Sequence, residues 1–292
     1  CNGTDDAPAS AAPNCAWSNP TVALPMGDGQ YGYKIPPALI KAGDTLVIGS
    51  GSYMIGYSET PIAGTQGQAC GKSNPYECSI SNIPSGIDAA HPTVITGDCT
   101  KPPELWGTQR NDVLIALSGL HDVTIACLEL TDHSNCISAY QPDPAGKCNR
   151  DTYPYGTWAG SGIHADHVTN LTLKNLNIHG FAHTGITAGA LSGNTLLDNV
   201  TLRGNGWVGL DGDLGGNDDT SSNTGTITIQ NSAIEWNGCT EDYPKTTIIN
   251  CWAQQEGGYG DGFGAAKTGG DWRILNTKFI GNTSDGLDLL YA

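Results

Sequence analysis

Residues 168–186 read VTNLTLKNLNIHGFAHTGI, and the pattern inside them recurs in NTLLDNVTLRGNGWVGL (194–210), GTITIQNSAIEWNG (225–238) and DWRILNTKFIGNTSDGL (271–287). In each, apolar residues alternate over about five positions, which is the period of a strand with one face buried. An Asn follows, at 175, 199, 231 and 276, and a second Asn stands six residues later at 205, 237 and 282. Asn tolerates the left-handed backbone of a tight bend and can stack its amide on an equivalent residue. A Gly-apolar pair then opens the next strand: Gly185-Ile186, Gly209-Leu210, Gly286-Leu287. Repeats of roughly 22 to 25 residues with insertions belong to solenoids rather than propellers. The fold class read from this is all-β: a right-handed parallel β-helix with loop insertions at one corner.

Upstream, DVLIALSGLHDVTIACLELTD fits the same template loosely, with Cys127 at the Asn position, and ALIKAGDTLVIGSGSYMIG reads as an opening repeat. Residues 1–30 are read as an N-terminal tether or cap and 31–292 as the β-helix domain, incomplete or continued at its C-terminal end. A short amphipathic plug is expected near PPALIKAG. The closing strand, LDLLYA, would present an unpaired parallel edge, so end-to-end self-association or further chain is expected there.

Composition narrows the function. The 292 residues carry a formal charge of −16 with only 14% charged residues, and 40 are glycine. Such a chain cannot neutralise a phosphate backbone, so nucleic acid is excluded as a partner. Ten cysteines without a CxxC spacing fit disulfides in an oxidising compartment. Three pairs close short polar segments, Cys70–Cys78, Cys136–Cys148 and Cys239–Cys251. Cys15 and Cys99 are a candidate fourth, which leaves Cys127 as a buried thiol and Cys1 spare. No stretch of 18 apolar residues is present. A chain starting at Cys1 followed by NGTDDAPASAAPN reads as a mature lipoprotein anchored to a membrane through lipid on Cys1, or equally as another disulfide half. Either way the expected location is extracellular or at the cell surface.

The chemistry is sought around the Gly-apolar pairs. Asp261 and Asp285 each precede such a Gly, and Asp288 follows three residues after Asp285. Equivalent positions in a parallel stack lie about 4.8 Å apart, so these carboxylates need a cation between them, and hard oxygen ligands suit Ca²⁺. Asp-Gly as plain turn chemistry is the bland alternative. His164, Asp166 and His167 are a weaker metal candidate. His179 and His183 are expected to bond turn backbone. Asp211 and Asp213 share a face, as in carboxylate-pair glycosidases. Tryptophans 158, 207, 236, 252 and 272, with tyrosines 153, 155 and 259, are either sugar-stacking surface or loop core.

The stretch GYGDGFGAAKTGGDWRILNTKFIGNTSDGLDLLYA (258–292) resembles the core of the family 9 polysaccharide lyases, pectate lyases with a parallel β-helix. In these a DGF…K segment precedes an NSDDGWDL-like segment one repeat later. The resemblance implies a calcium held by Asp261, Asp285 and Asp288 and Ca-dependent β-elimination on an acidic polysaccharide. Ser284 stands where the family has the first Asp of its pair, Leu287 replaces Trp, and Lys267 is displaced by one residue. No residue matches the family's base lysine. The competing expectation is a non-catalytic, surface-anchored carbohydrate-binding or structural β-helix protein.

Overall fold

The computed structural model describes residues 19–26, 37–57, 78–137, 148–149, 156–212, 223–252, 260–265 and 268–289. Cys1, Cys15, Cys70, Asp213 and Lys267 lie outside them, as do the three tyrosines 153, 155 and 259. Among the described residues no helix is long and apolar enough to cross a membrane.

The chain is nearly all β. In order it forms β1 (Thr45–Val47), β2 (Ser52–Ile55), β3 (Thr93–Thr96), β4 (Glu104–Gly107), β5 (Asn111–Ala116), β6 (His121–Asp132), β7 (Ala159–Asp166), β8 (Thr169–His179), β9 (Ile186–Gly189) and β10 (Asn194–Arg203). It continues through β11 (Leu210–Asp211), β12 (Asn223–Gln230), β13 (Ala233–Glu235), β14 (Cys239–Asp242), β15 (Thr247–Cys251), β16 (Phe263–Ala265), β17 (Gly269–Leu275), β18 (Lys278–Ile280) and β19 (Leu287–Leu289). From β5 onward the chain shuttles between two sheets. One follows the order β1-β3-β6-β8-β10-β12-β17, with β2, β4, β13 and β18 attached, and the other β19-β16-β11-β9-β7-β5. All strand pairs within these two sheets are parallel; β14 and β15 form a separate antiparallel ribbon. Long parallel sheets visited alternately are compatible with a parallel β-helix.

The inward residues stack in register. Ile125, Leu173, Leu197 and Ile229 form one column and Leu130, Ile178, Leu202 and Ile234 another. All eight are buried, and they belong to one continuous apolar core. At the last strands the burial fades: Trp272, Ile274 and Phe279 are half-buried, whereas Ile227, Ile229 and Ile234 are at most 1% exposed.

The Asn positions of the repeat are where the backbone bends. Asn175, Asn199, Asn231 and Asn276 all have φ between 45° and 55°. Asn276 donates to Asn231 (2.9 Å), Asn231 to Asp198 (2.9 Å) and Asn199 to Asn175 (2.8 Å). The second set runs inward, with Asn205 and Asn237 buried and Asn282 half-buried: Asn205 donates to Asn237 (3.0 Å), which donates to Asn282 (2.9 Å). Glycine makes room for it. A Cβ on Gly209 would sit 2.6 Å from the Gly262 carbonyl and 2.7 Å from the Asn237 amide nitrogen.

At the N-terminal side, Asn19 caps the helix α1 (Pro20–Ala23) by accepting from the Thr21 amide. Ala23, Leu24 and Met26 are fully buried in the core. Near PPALIKAG, residues 37–44 carry no helix and turn at Lys41–Asp44, where the Asp44 carboxylate accepts from the Lys41 amide, while Ile40 is buried in the core and Ala38 packs against it. A turn closed by its own Asp side chain competes with helix at that point.

Three described disulfides, Cys99–Cys127, Cys136–Cys148 and Cys239–Cys251, fit an oxidising environment. The last two are as expected. Cys78 is also disulfide-bonded, so the expected 70–78 pair turns on a partner outside the described residues. The first corrects two expectations, the 15–99 pair and Cys127 as a thiol. Cys127 occupies the bend position with φ 54°, which turns its side chain out of the inward column toward Cys99, and Asn175 rests its amide on both sulfurs. Peptide mapping without reduction is expected to recover 99–127, 136–148 and 239–251 as linked peptides; a free thiol at any of these six positions would contradict the arrangement.

Candidate functional site

Asp261 and Asp285 stand two residues before Phe263 of β16 and Leu287 of β19, which are register partners, so the two aspartates occupy equivalent places one strand apart. The Asp285 amide donates to Asp261 Oδ1 at 3.0 Å. Asp288 lies on the outward face of β19, opposite Gly264. One carboxylate oxygen from each of Asp261, Asp285 and Asp288 lies within 4.8 Å of the others, and among the described residues this is the group of three ligand-type side chains so placed. Asp261 is buried, Asp288 half-buried and Asp285 exposed. Gly264 keeps the space above them clear, since a Cβ there would come within 3.1 Å of Asp261 Oδ2.

The donors fit a hard divalent cation. Ca²⁺–O bonds of about 2.4 Å place opposed ligand oxygens about 4.8 Å apart. Among the described residues no lysine or arginine forms an ion pair with Asp261 or Asp285 to neutralise them. Three carboxylates supply only part of a six- to eight-oxygen shell, leaving positions for water or a ligand's own oxygens.

The other candidates do not converge. Asp166 pairs with its neighbour His167 at 2.8 Å, while burial holds the His164 pKa below its usual value. Asp211 shares the outward column of Asp288 with Gly264 between them. His183 donates to or accepts from the Thr184 hydroxyl at 2.9 Å, packs against Trp207, and is pushed by burial to a pKa of about 4.

His179 departs most from expectation. It bonds no turn backbone; it joins two carboxylates, Glu241 through Nδ1 (2.8 Å) and Glu129 through Nε2 (2.9 Å). Burial opposes its charge, but those two hydrogen bonds outweigh it and raise its pKa to about 9. The same bond to His179 holds Glu129 below the usual carboxylate range. Glu241 also meets Arg203, which reaches Glu235 at 3.3 Å. Beside this network His133 is sandwiched between Trp106 and Tyr243, at centroid distances of 4.2 and 3.7 Å, and bonds Glu104 at 3.0 Å. Sequence reading missed these residues because outward polar positions on strands are ordinarily solvated, and only the fold-back of β14–β15 brings Glu241 and Tyr243 over them.

Comparison with protein-family models, with curated proteins and with solved structures finds no match to this chain.

Proposed function

We propose that this protein is an extracellular or surface-held right-handed parallel β-helix that binds Ca²⁺ through Asp261, Asp285 and Asp288 and cleaves an acidic polysaccharide as a pectate lyase-like enzyme. The observation that carries this reading is the set of three carboxylate oxygens from adjacent parallel strands within 4.8 Å of one another, with Gly264 placing no side chain against Asp261 Oδ2. The resemblance of residues 258–292 to the family 9 lyases points the same way. A bound Ca²⁺ would engage the uronate carboxylate and acidify the proton α to it. The chain's own aspartates fix where that carboxylate sits, and Asp261, its Oδ1 held by the Asp285 amide, offers Oδ2 outward. Elimination transfers the α-proton to a base, forms the C4=C5 double bond and expels the glycosidic oxygen with its electron pair. No described residue is assigned as that base.

Ser284 at the place of the family's first paired Asp favours a second reading, a calcium-stapled polysaccharide-binding protein without catalysis. One experiment separates the two. Polygalacturonate is incubated with the protein, with Ca²⁺ or chelator, while the absorbance of the unsaturated product is followed; growth only with Ca²⁺ supports the lyase, and binding without product supports the second reading. The metal site is tested by calorimetry. Asp285→Ala is expected to weaken Ca²⁺ binding at least ten-fold, and unchanged affinity would remove the site.

A further inference from the structure

The outer face of the first sheet holds a second arrangement that shares no residue with the aspartate triad. There the β14–β15 ribbon is paired only with itself and is stapled at its root by Cys239–Cys251. Its first strand buries Cys239, Thr240 and Glu241, while β15 is largely exposed. It is held down by Glu241 on His179 and Arg203, by the Thr246 carbonyl accepting from Arg203 at 2.8 Å, and by Tyr243, which stacks on His133 and donates its hydroxyl to Glu104 at 3.3 Å.

We propose that His179 and Arg203 form a carboxylate-binding clamp that Glu241 occupies in cis, so that the β14–β15 hairpin is a flap closed by its own stand-in for a ligand carboxylate. Both oxygens of Glu241 are engaged, Oε2 by the His179 ring and Oε1 by the Arg203 guanidinium. Two cations meeting the two oxygens of one carboxylate is how proteins recognise such groups in a ligand. The clamp is built without the hairpin. His179 and Arg203 are register neighbours on β8 and β10, and two glutamates on the sheet hold them there, Glu129 at His179 Nε2 and Glu235 at Arg203 Nε. With Glu241 the cluster holds two cations and three carboxylates, so what the clamp offers a further carboxylate is two aimed donors, one for each oxygen, rather than an excess of positive charge.

The backbone has left room for that carboxylate's arm. Gly204 has φ +59°, and a Cβ on it would lie 2.5 Å from Glu241 Cγ; Gly180, φ +73°, sits on the neighbouring strand end, where a Cβ would be 3.6 Å from Glu241 Oε2. The ligand class is therefore a carboxylate on a slender aliphatic or saccharide arm. A uronate and a small free acid share that chemistry.

The test uses the full chain at pH 7 in buffer freed of divalent cations over a chelating resin, with no soluble polycarboxylate chelator added, so that its outcome is independent of the calcium reading. Glu241→Ala is titrated with acetate and with trigalacturonate by calorimetry. Expected are saturable acetate binding at least ten-fold tighter than in the parent and return to parental behaviour in Glu241→Ala/Arg203→Met. Tighter binding of trigalacturonate than acetate would identify a saccharide uronate, and acetate alone a small acid. Should Glu241→Ala not fold, Glu241→Gln serves, with hydrogen exchange of the amides at 239–251 expected to quicken at least ten-fold while that of the Leu173 and Ile229 amides is unchanged. A folded Glu241→Ala that binds neither probe better than the parent, binding that survives loss of Arg203, or parental protection of the hairpin in Glu241→Gln would overturn the proposal.

Discussion

Replacing Asn237 by leucine is expected to destabilise the protein by about 2–6 kcal/mol, at one to three for each of the two buried partners it leaves unpaired. Asn237 is fully buried. Its Oδ1 accepts from both the backbone amide and the side-chain amide of Asn205, at 3.3 and 3.0 Å. Its Nδ2 donates to Asn282 Oδ1 at 2.9 Å and to the Leu202 carbonyl at 3.3 Å. Leucine has nearly the same shape and none of these bonds, so Asn205, itself fully buried, loses its acceptor and the Leu202 carbonyl a donor. Denaturant unfolding of the parent and the variant measures the loss. A difference under about 1 kcal/mol would mean that the neighbouring amides re-pair and that the inner Asn set is not a framework.

The second large effect is a pH dependence. His179 titrates near 9 in the folded protein and near 6.5 when unfolded, so its bridge contributes stability that is fully present below about 6.5 and is lost as pH rises through 9. Compared with His179→Gln, the parent is expected to hold an advantage on the order of 3 kcal/mol near pH 6 that shrinks across this window. Unfolding both proteins in urea at pH 6, 8 and 9.5 gives the difference directly. A difference independent of pH would show that His179 is neutral in the fold and that the bridge is an ordinary hydrogen bond. Proton NMR of the ring gives an independent titration curve.

Much of the sheet architecture was legible because its signals are local. Alternation fixes which side of a strand is buried, and a bend with positive φ selects Asn at 175, 199, 231 and 276, so a periodic Asn marks each repeat without any tertiary knowledge. The short-range disulfides were legible for the same reason, with each pair flanking one loop. Cys127 misled because ACLEL reads as an unbroken apolar strand, whereas the bend at Cys127 turns its side chain toward Cys99, 28 residues earlier. The aspartate triad was foreseen from the equivalence of Asp261 and Asp285 in the repeat. The His179 network was not, because its partners lie 50 and 62 residues away and one of them arrives on an antiparallel ribbon that follows no repeat.

The two sets of Asn side chains carry a further property, polarity. Along the outer set the amide hydrogens point toward earlier residues, from 276 to 231 to 198 and from 199 to 175. Along the inner set they point toward later ones, from 205 to 237 to 282. Aligned amides polarise one another, so each row alone would accumulate a dipole along the stacking direction, as peptide units do in a helix. Running in opposite senses, the two rows oppose each other's dipoles. The stack can thus extend a buried polar column over several strands with less build-up of opposite partial charge at its ends than rows running in one sense would give.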